Sequence, residues 1–193
     1  MPKGLLVGFI GAPISGKTTT AFRLFATLKN FGIPGEFVTE QARIMIARAK
    51  EFSGQVKLDD GFQFQICAEQ NKAEQLMVKS CLNGLVVTDS SSLNSYLYLS
   101  EAAKTTAIDT VFSGLAQNYD LLFYCPPVPA FVIKDPNRVH SREESLAIDA
   151  QVPGMIEKFG IKGKMVVLVG DSDYRLSEAL RATLELYKQE PCR

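Results

Sequence analysis

The chain has no tryptophan and one histidine, His140, and its four cysteines, Cys67, Cys81, Cys125 and Cys192, stand far apart with no CxxC pair. One imidazole and scattered thiols give a zinc site almost nothing to be built from. The cysteines read as reduced, buried or incidental thiols of a cytoplasmic protein. An excess of either charge is also missing, because 21 Lys and Arg balance 21 Asp and Glu. That balance disfavours a broad nucleic-acid-binding face and a pull toward membrane surfaces. No apolar stretch approaches the ~18 residues that would span a bilayer. The N-terminal run in "MPKGLLVGFIG" stops in a lysine-bearing loop, so no signal peptide is predicted. No repeat, low-complexity segment or linker interrupts the 193 residues, which predicts one domain over 1–193.

Short apolar runs and amphipathic stretches alternate along the chain. "LLVGFI" (5–10), "GEFVTE" (35–40), "GLVVTDSSS" (84–92), "YDLLFYCPP" (119–127) and "KMVVLVGD" (164–171) read as five strands, most of them continuous enough to be buried on both faces. Helices are predicted over 17–30, with Ala21, Leu24, Phe25 and Leu28 on one stripe, and over 41–52. A long helix is predicted over 62–82, with Phe62, Ile66, Glu69 and Leu76 in helical periodicity. One or two helices fit 92–118, and another fits 174–188. This alternation demands right-handed crossovers and a parallel sheet between two helix layers. In such sheets ligands bind beyond the carboxyl ends of the strands, and the unusual polar motifs fall there.

The strongest motif is "GAPISGKT" (11–18), which matches GxxxxGK[ST] between a strand and a helix. Its glycines let successive backbone N–H groups turn inward around a phosphate, and the helix after Gly16 adds its positive dipole end. Lys17 is placed to reach the β- and γ-phosphates, and the Thr18 hydroxyl to ligate Mg²⁺. Asp89 ends a strand and precedes three serines. It suits an acid that holds Mg²⁺ or accepts the proton of an attacking hydroxyl, with a cap for the helix near Ser92 as the alternative. Glu40 and Arg43 stand at another strand mouth, suited to a ribose hydroxyl or a substrate phosphate, or else form a solvated pair at i, i+3. Gln63 and Gln65 could read a base edge or be solvated helix positions. The proline-broken stretch 126–145 carries Lys134, Arg138, His140 and Arg142. It reads as a cationic lid closing over the transferring group, with a solvated basic loop as the alternative.

Taken in order, the chain resembles the small P-loop nucleoside and nucleotide kinases. Among them it is most similar to the nicotinamide-riboside-kinase-like ATPases. The resemblance is carried by "GAPISGKTT", "TEQAR", "VVTDSSSLNSYLY", "YDLLFYCPPVPAFVIKDPNRVHSREE" and "GDSDYRLSEAL". It implies a P-loop three-layer α/β sandwich with a five-stranded parallel sheet of order 2-3-1-4-5. It also implies ATP and Mg²⁺ as cosubstrates. Gly11, Ala12, Pro13, Ile14, Ser15, Gly16, Lys17, Thr18 and Thr19 would hold the ATP, and Asp171 would lie near the adenine. Glu40, Arg43 and Asp89 would line the acceptor pocket, with Arg138 and Arg142 as lid cations; Gln63 and Gln65 join the expected substrate-binding residues only through their base-edge reading.

Phosphoryl transfer to a small nucleoside or nucleoside monophosphate is therefore the expected function. A P-loop ATPase or nucleotide switch acting on a partner is the alternative, and homo-oligomer formation is left open. A polynucleotide 5′-kinase is disfavoured by the neutral charge, because a strand-binding groove adds many cations.

Overall fold

The computed structural model describes residues 3–128 and 141–189. Five strands, β1 (Leu5–Ile10), β2 (Gly35–Val38), β3 (Leu85–Thr88), β4 (Leu121–Tyr124) and β5 (Met165–Val167), form one all-parallel sheet in the order β2-β3-β1-β4-β5. This is the strand order expected from sequence. Alternate β1 residues serve opposite faces, as the two-residue strand period requires. Leu6 and Ile10 join a cluster with Val86, Leu122, Phe112 and Phe159, while Val7 and Phe9 join Val87, Phe123, Leu24 and Ala179. The second cluster lies under α1 (Lys17–Asn30) and α7 (Ser172–Gln189). The first lies under α3 (Asp60–Ser80), a 3₁₀ turn (Ser92–Tyr98), α4 (Thr106–Ala116) and α6 (Val152–Lys158).

Gly8, in the middle of β1, has a packing reason. A Cβ there would meet the Tyr119 ring at 2.7 Å. The phenol crosses the sheet surface at this point, and a side chain at position 8 would close its path.

The structure differs from the sequence expectation in two places. First, α3 buries only part of its apolar periodicity: Ile66 is inside but Leu76 is 60% exposed, and the buried side is Gln63, Ile66, Cys67, Gln70, Glu74 and Val78. This helix turns polar side chains inward because they meet one another and the strand ends. A hydrophobic stripe is therefore a poor guide to its inner face. Second, the stretch 126–145 is not irregular to its end. Ser141 and Glu144 form a reciprocal capping box that starts α5 (Arg142–Asp149), and α6 follows almost directly. The stretch 92–118 holds the 3₁₀ turn and a single α-helix, within the one or two helices expected. Lys134, Arg138 and His140 lie outside the described residues, as does Cys192; the other three cysteines are free and buried.

Candidate active site

The loop between β1 and α1 wraps a cavity of about 500 Å³. Gly16 enters the helix with φ 83°, a left-handed conformation natural to glycine. Ile14 has φ 64°, which is unusual for a β-branched residue and marks local strain of order 1–3 kcal/mol. Such strain persists only where the surroundings hold it, and four side chains grip this loop. Asn94 Oδ1 accepts from the Gly11 N–H (3.2 Å), and Lys17 Nζ donates to the Gly11 and Ala12 carbonyls (both 2.7 Å). Ser145 Oγ donates to the Pro13 carbonyl, and Arg175 Nη1 donates to the Ser15 carbonyl (2.6 Å).

Lys17 is thus folded back into its own loop. Burial lowers its pKa from the ordinary lysine value, while Glu40 and Asp89 act in the opposite direction. Asp89 lies just past β3, is 4% exposed and has its pKa pushed up to about 6, chiefly by burial and then by Glu40; Thr18 and Lys17 act against that rise. Its Oδ1 is buried without a hydrogen-bond partner among the described residues, and so is the Ser91 hydroxyl beside it. Asp89 does not cap the 3₁₀ turn, whose N-cap is Ser91. A buried carboxylate oxygen without a donor is costly unless a ligand supplies one.

Beyond this end the cavity runs under α2 (Gln41–Ser53), a helix with no buried residue. Arg43, Ile46, Ala47 and Lys50 recur at i, i+3, i+4 and i+7 and form the roof. Gln63, Ile66 and Gln70 of α3 make one wall, and Asn94, Ser95 and Tyr98 make another. Arg43 Nε pairs with Glu40 (2.8 Å) at the rim.

Residues 6–175 match the family described as the AAA domain. The chain belongs to that family. No curated protein matches this AAA domain in sequence. Among solved structures it is similar in fold to NadR protein in complex with NR, with TM-score 0.74 and 19% identity over 98% of this chain and 53% of that one. NadR protein in complex with NAD and AMP-PNP gives TM-score 0.70 and 20% identity, over 98% and 51%. Thymidylate kinase from Ehrlichia chaffeensis gives 0.65 and 12%, over 94% and 100%. The chain spans about half the length of the NadR chains it matches.

Of the residues singled out from sequence, the AAA domain brings the phosphate loop, Glu40, Arg43 and Gln63 around one cavity. Ala12 and Asp89 are buried and not part of the cavity lining, Asp89 lying beside Thr18 and Lys17, which are. Three others stand apart. Gln65 is exposed, because two residues along a helix turn it about 200° from Gln63. Asp171 is exposed and its carboxylate accepts from the N–H groups of Asp173 and Tyr174, capping α7. Arg142 is exposed on the first turn of α5.

Sequence reasoning missed the polar layer beneath the cavity. Glu74, 1% exposed, accepts from the Tyr119 hydroxyl (2.7 Å), the Thr88 hydroxyl (3.1 Å), the Ser92 N–H (3.3 Å) and Gln70 (3.4 Å). Gln70 in turn donates to Thr88 (2.9 Å) and accepts from the Gln41 N–H (2.8 Å), tying α2 to the end of β3. The available signal was the seven-residue spacing of Gln63 and Gln70 with Glu74 one turn on; nothing in the sequence marked Tyr119 as their partner.

Burial outweighs these four donors and lifts the Glu74 pKa from 4.5 to about 7. An acid with a higher pKa folded than unfolded holds its proton more tightly in the native state. Its contribution to stability is therefore complete below about 4.5 and is lost as pH rises through about 7. Glu74→Gln carries a fixed offset from its altered hydrogen bonds but cannot titrate. Its Tm relative to the unsubstituted protein should rise between pH 5 and pH 8, by the equivalent of up to about 3 kcal/mol. A pH-independent difference in thermal melts would show that Glu74 does not titrate in this window.

Proposed function

We propose that this chain is an ATP-dependent kinase that transfers the γ-phosphoryl group to a hydroxyl of a small nucleoside. The carrying observation is the unpartnered Asp89 Oδ1, beside Lys17 and Thr18 at the place where the phosphate loop opens into a cavity of about 500 Å³. A cavity of that size suits a small acceptor. Two carboxylates, Asp89 and Glu40, stand near the transfer end. They accommodate a hydroxyl, which can donate to Asp89, better than the dianionic phosphate of a nucleoside monophosphate. Structural likeness to proteins bound to NR and to AMP-PNP, and to a thymidylate kinase, supports the reading.

The phosphate-loop N–H groups would bind the β-phosphate, and Lys17 would leave its carbonyl partners for the phosphate oxygens. Asp89 would orient the acceptor hydroxyl and take its proton. Ile46, Leu58, Ile66 and Tyr98 supply an apolar slot for a base or ring, with Gln63 as its polar reader. Thr18 and Asp89 offer hard oxygen donors that fit Mg²⁺, and the unpartnered Asp89 oxygen is the observation favouring that fit. Mg²⁺ would neutralise charge on the β- and γ-oxygens.

The test is ADP formation from ATP with a panel of nucleosides and nucleoside monophosphates. Turnover that depends on a nucleoside is expected. Turnover equal with and without any acceptor would select the ATPase or switch alternative, and monophosphate-only turnover would reassign the acceptor end.

A further inference from the structure

Arg175 is the largest side chain buried almost completely, at 1% exposure, and no step above uses it. It sits near the start of α7, and its three hydrogen bonds among the described residues all go to backbone carbonyls. Nε donates to Gly170 (3.1 Å), Nη1 to Ser15 (2.6 Å) and Nη2 to Pro126 (2.7 Å). No carboxylate among the described residues forms an ion pair with it. A buried guanidinium satisfied only by peptide oxygens is expensive to desolvate, which makes packing alone a weak reason for it.

The three carbonyls belong to three separate segments at the carboxyl edge of the sheet: the phosphate loop, the exit of β4 and the exit of β5. A planar fork can hold three such groups in fixed relation, whereas an ammonium cannot. In a trans peptide the C=O and the following N–H point in opposite directions. Arg175 lies outside the cavity wall, whereas Ser15 and Gly16 are part of it. Drawing the Ser15 carbonyl toward Arg175 therefore sends the Gly16 N–H the other way, toward the cavity. Ser145, 2% exposed, does the same two residues earlier: it holds the Pro13 carbonyl and directs the Ile14 N–H. Between these two anchors sits Ile14, the residue with the strained left-handed backbone. The loop has few glycines, and two side chains from distant helices fix the shape that glycines would otherwise permit.

We propose that Arg175 is a positioning residue for nucleotide binding, holding the phosphate loop from behind so that its N–H groups face the phosphate, and locking that loop to the exits of β4 and β5. The proposal rests on the kinase reading only in taking ATP as the ligand.

The test is Arg175→Lys, which keeps the charge and loses the fork, with ATP binding measured by calorimetry beside steady-state kinetics. ATP affinity should fall about tenfold, the equivalent of one charge-assisted hydrogen bond. The KM for ATP should rise to match, with the acceptor KM within about twofold. Arg175 acting only as core packing would instead shrink the active fraction, lowering kcat with both KM values unchanged. A folded Arg175→Lys protein with unaltered ATP affinity overturns the proposal.

Nitrogen-15 NMR of the unsubstituted protein gives a second readout that needs no variant. The Arg175 guanidinium and Gly16 amide resonances should shift together as ATP is added, and an unmoved Arg175 signal at saturation also overturns it. Failure of the kinase reading is distinguishable: ATP then binds without acceptor-dependent turnover, and the affinity comparison still decides the role of Arg175. A protein that binds no ATP at all overturns both.

Discussion

Lys17→Ala should leave a folded protein whose kcat falls by about 10²-fold or more. The ammonium sits in a half-buried position, donating to the Gly11 and Ala12 carbonyls at 2.7 Å. Gly11 and Lys17 line the open cavity, so water can enter the space the ammonium leaves, and the thermal midpoint should change little. What water cannot replace is a fixed cation beside the charge that grows on the transferring group. Burial already lowers the pKa of Lys17, which weakens the hold of solvent on its charge and readies it for an anionic partner. Circular dichroism and thermal melts establish folding, and single-turnover ADP formation measures the loss. Near-normal kcat in a folded Lys17→Ala protein would remove Lys17 from the chemistry.

Asp89→Asn should reduce turnover by about 10²-fold or more without loss of stability at neutral pH, because the burial that raises the carboxyl pKa opposes the ionised form and the amide carries no charge. The substitution preserves shape and can still accept one hydrogen bond, but it holds neither a proton nor a metal-directed charge. In the unsubstituted protein, kcat/KM should fall on the acid side with an apparent pKa near 6, because burial and Glu40 raise the Asp89 carboxyl to about that value. The ionised form is the active one, so activity rises with pH through this range. Two roles can be separated in the same experiment. Loss of the proton acceptor lowers kcat at every Mg²⁺ concentration, whereas loss of a metal contact is partly recovered by raising Mg²⁺. Activity retained together with an unchanged Mg²⁺ dependence would rule out both.

Composition and motif spacing carried the fold a long way. Continuous apolar runs such as "LLVGFI" and "LVVT" mark strands covered on both faces, and their alternation with helices leaves a parallel sheet as the economical arrangement. The phosphate loop was legible because its chemistry is local: eight consecutive residues bring their own N–H groups, lysine and hydroxyl to one place. Glu40 and Asp89 were legible for a related reason, since each ends a strand and strand ends in such a sheet converge on one edge.

Gln70, Glu74, Tyr119 and Arg175 were not legible. Their partners lie 18, 45 and 160 residues away in the chain, and no local periodicity encodes such pairings. The polar inner face of α3 was hidden from the sequence for the same reason. A hydrophobic stripe reports transfer of side chains from water to an apolar interior, but this interior is polar, and Gln70 and Glu74 are stable there only because Thr88, Ser92 and Tyr119 meet them. The sequence by itself determined the sheet, the phosphate loop and the acids at the strand ends, all of which follow from residues close in the chain. Only the tertiary structure decided how that loop is held and what lies beneath the cavity, because a buried hydrogen bond between distant residues exists only once the chain has closed around it.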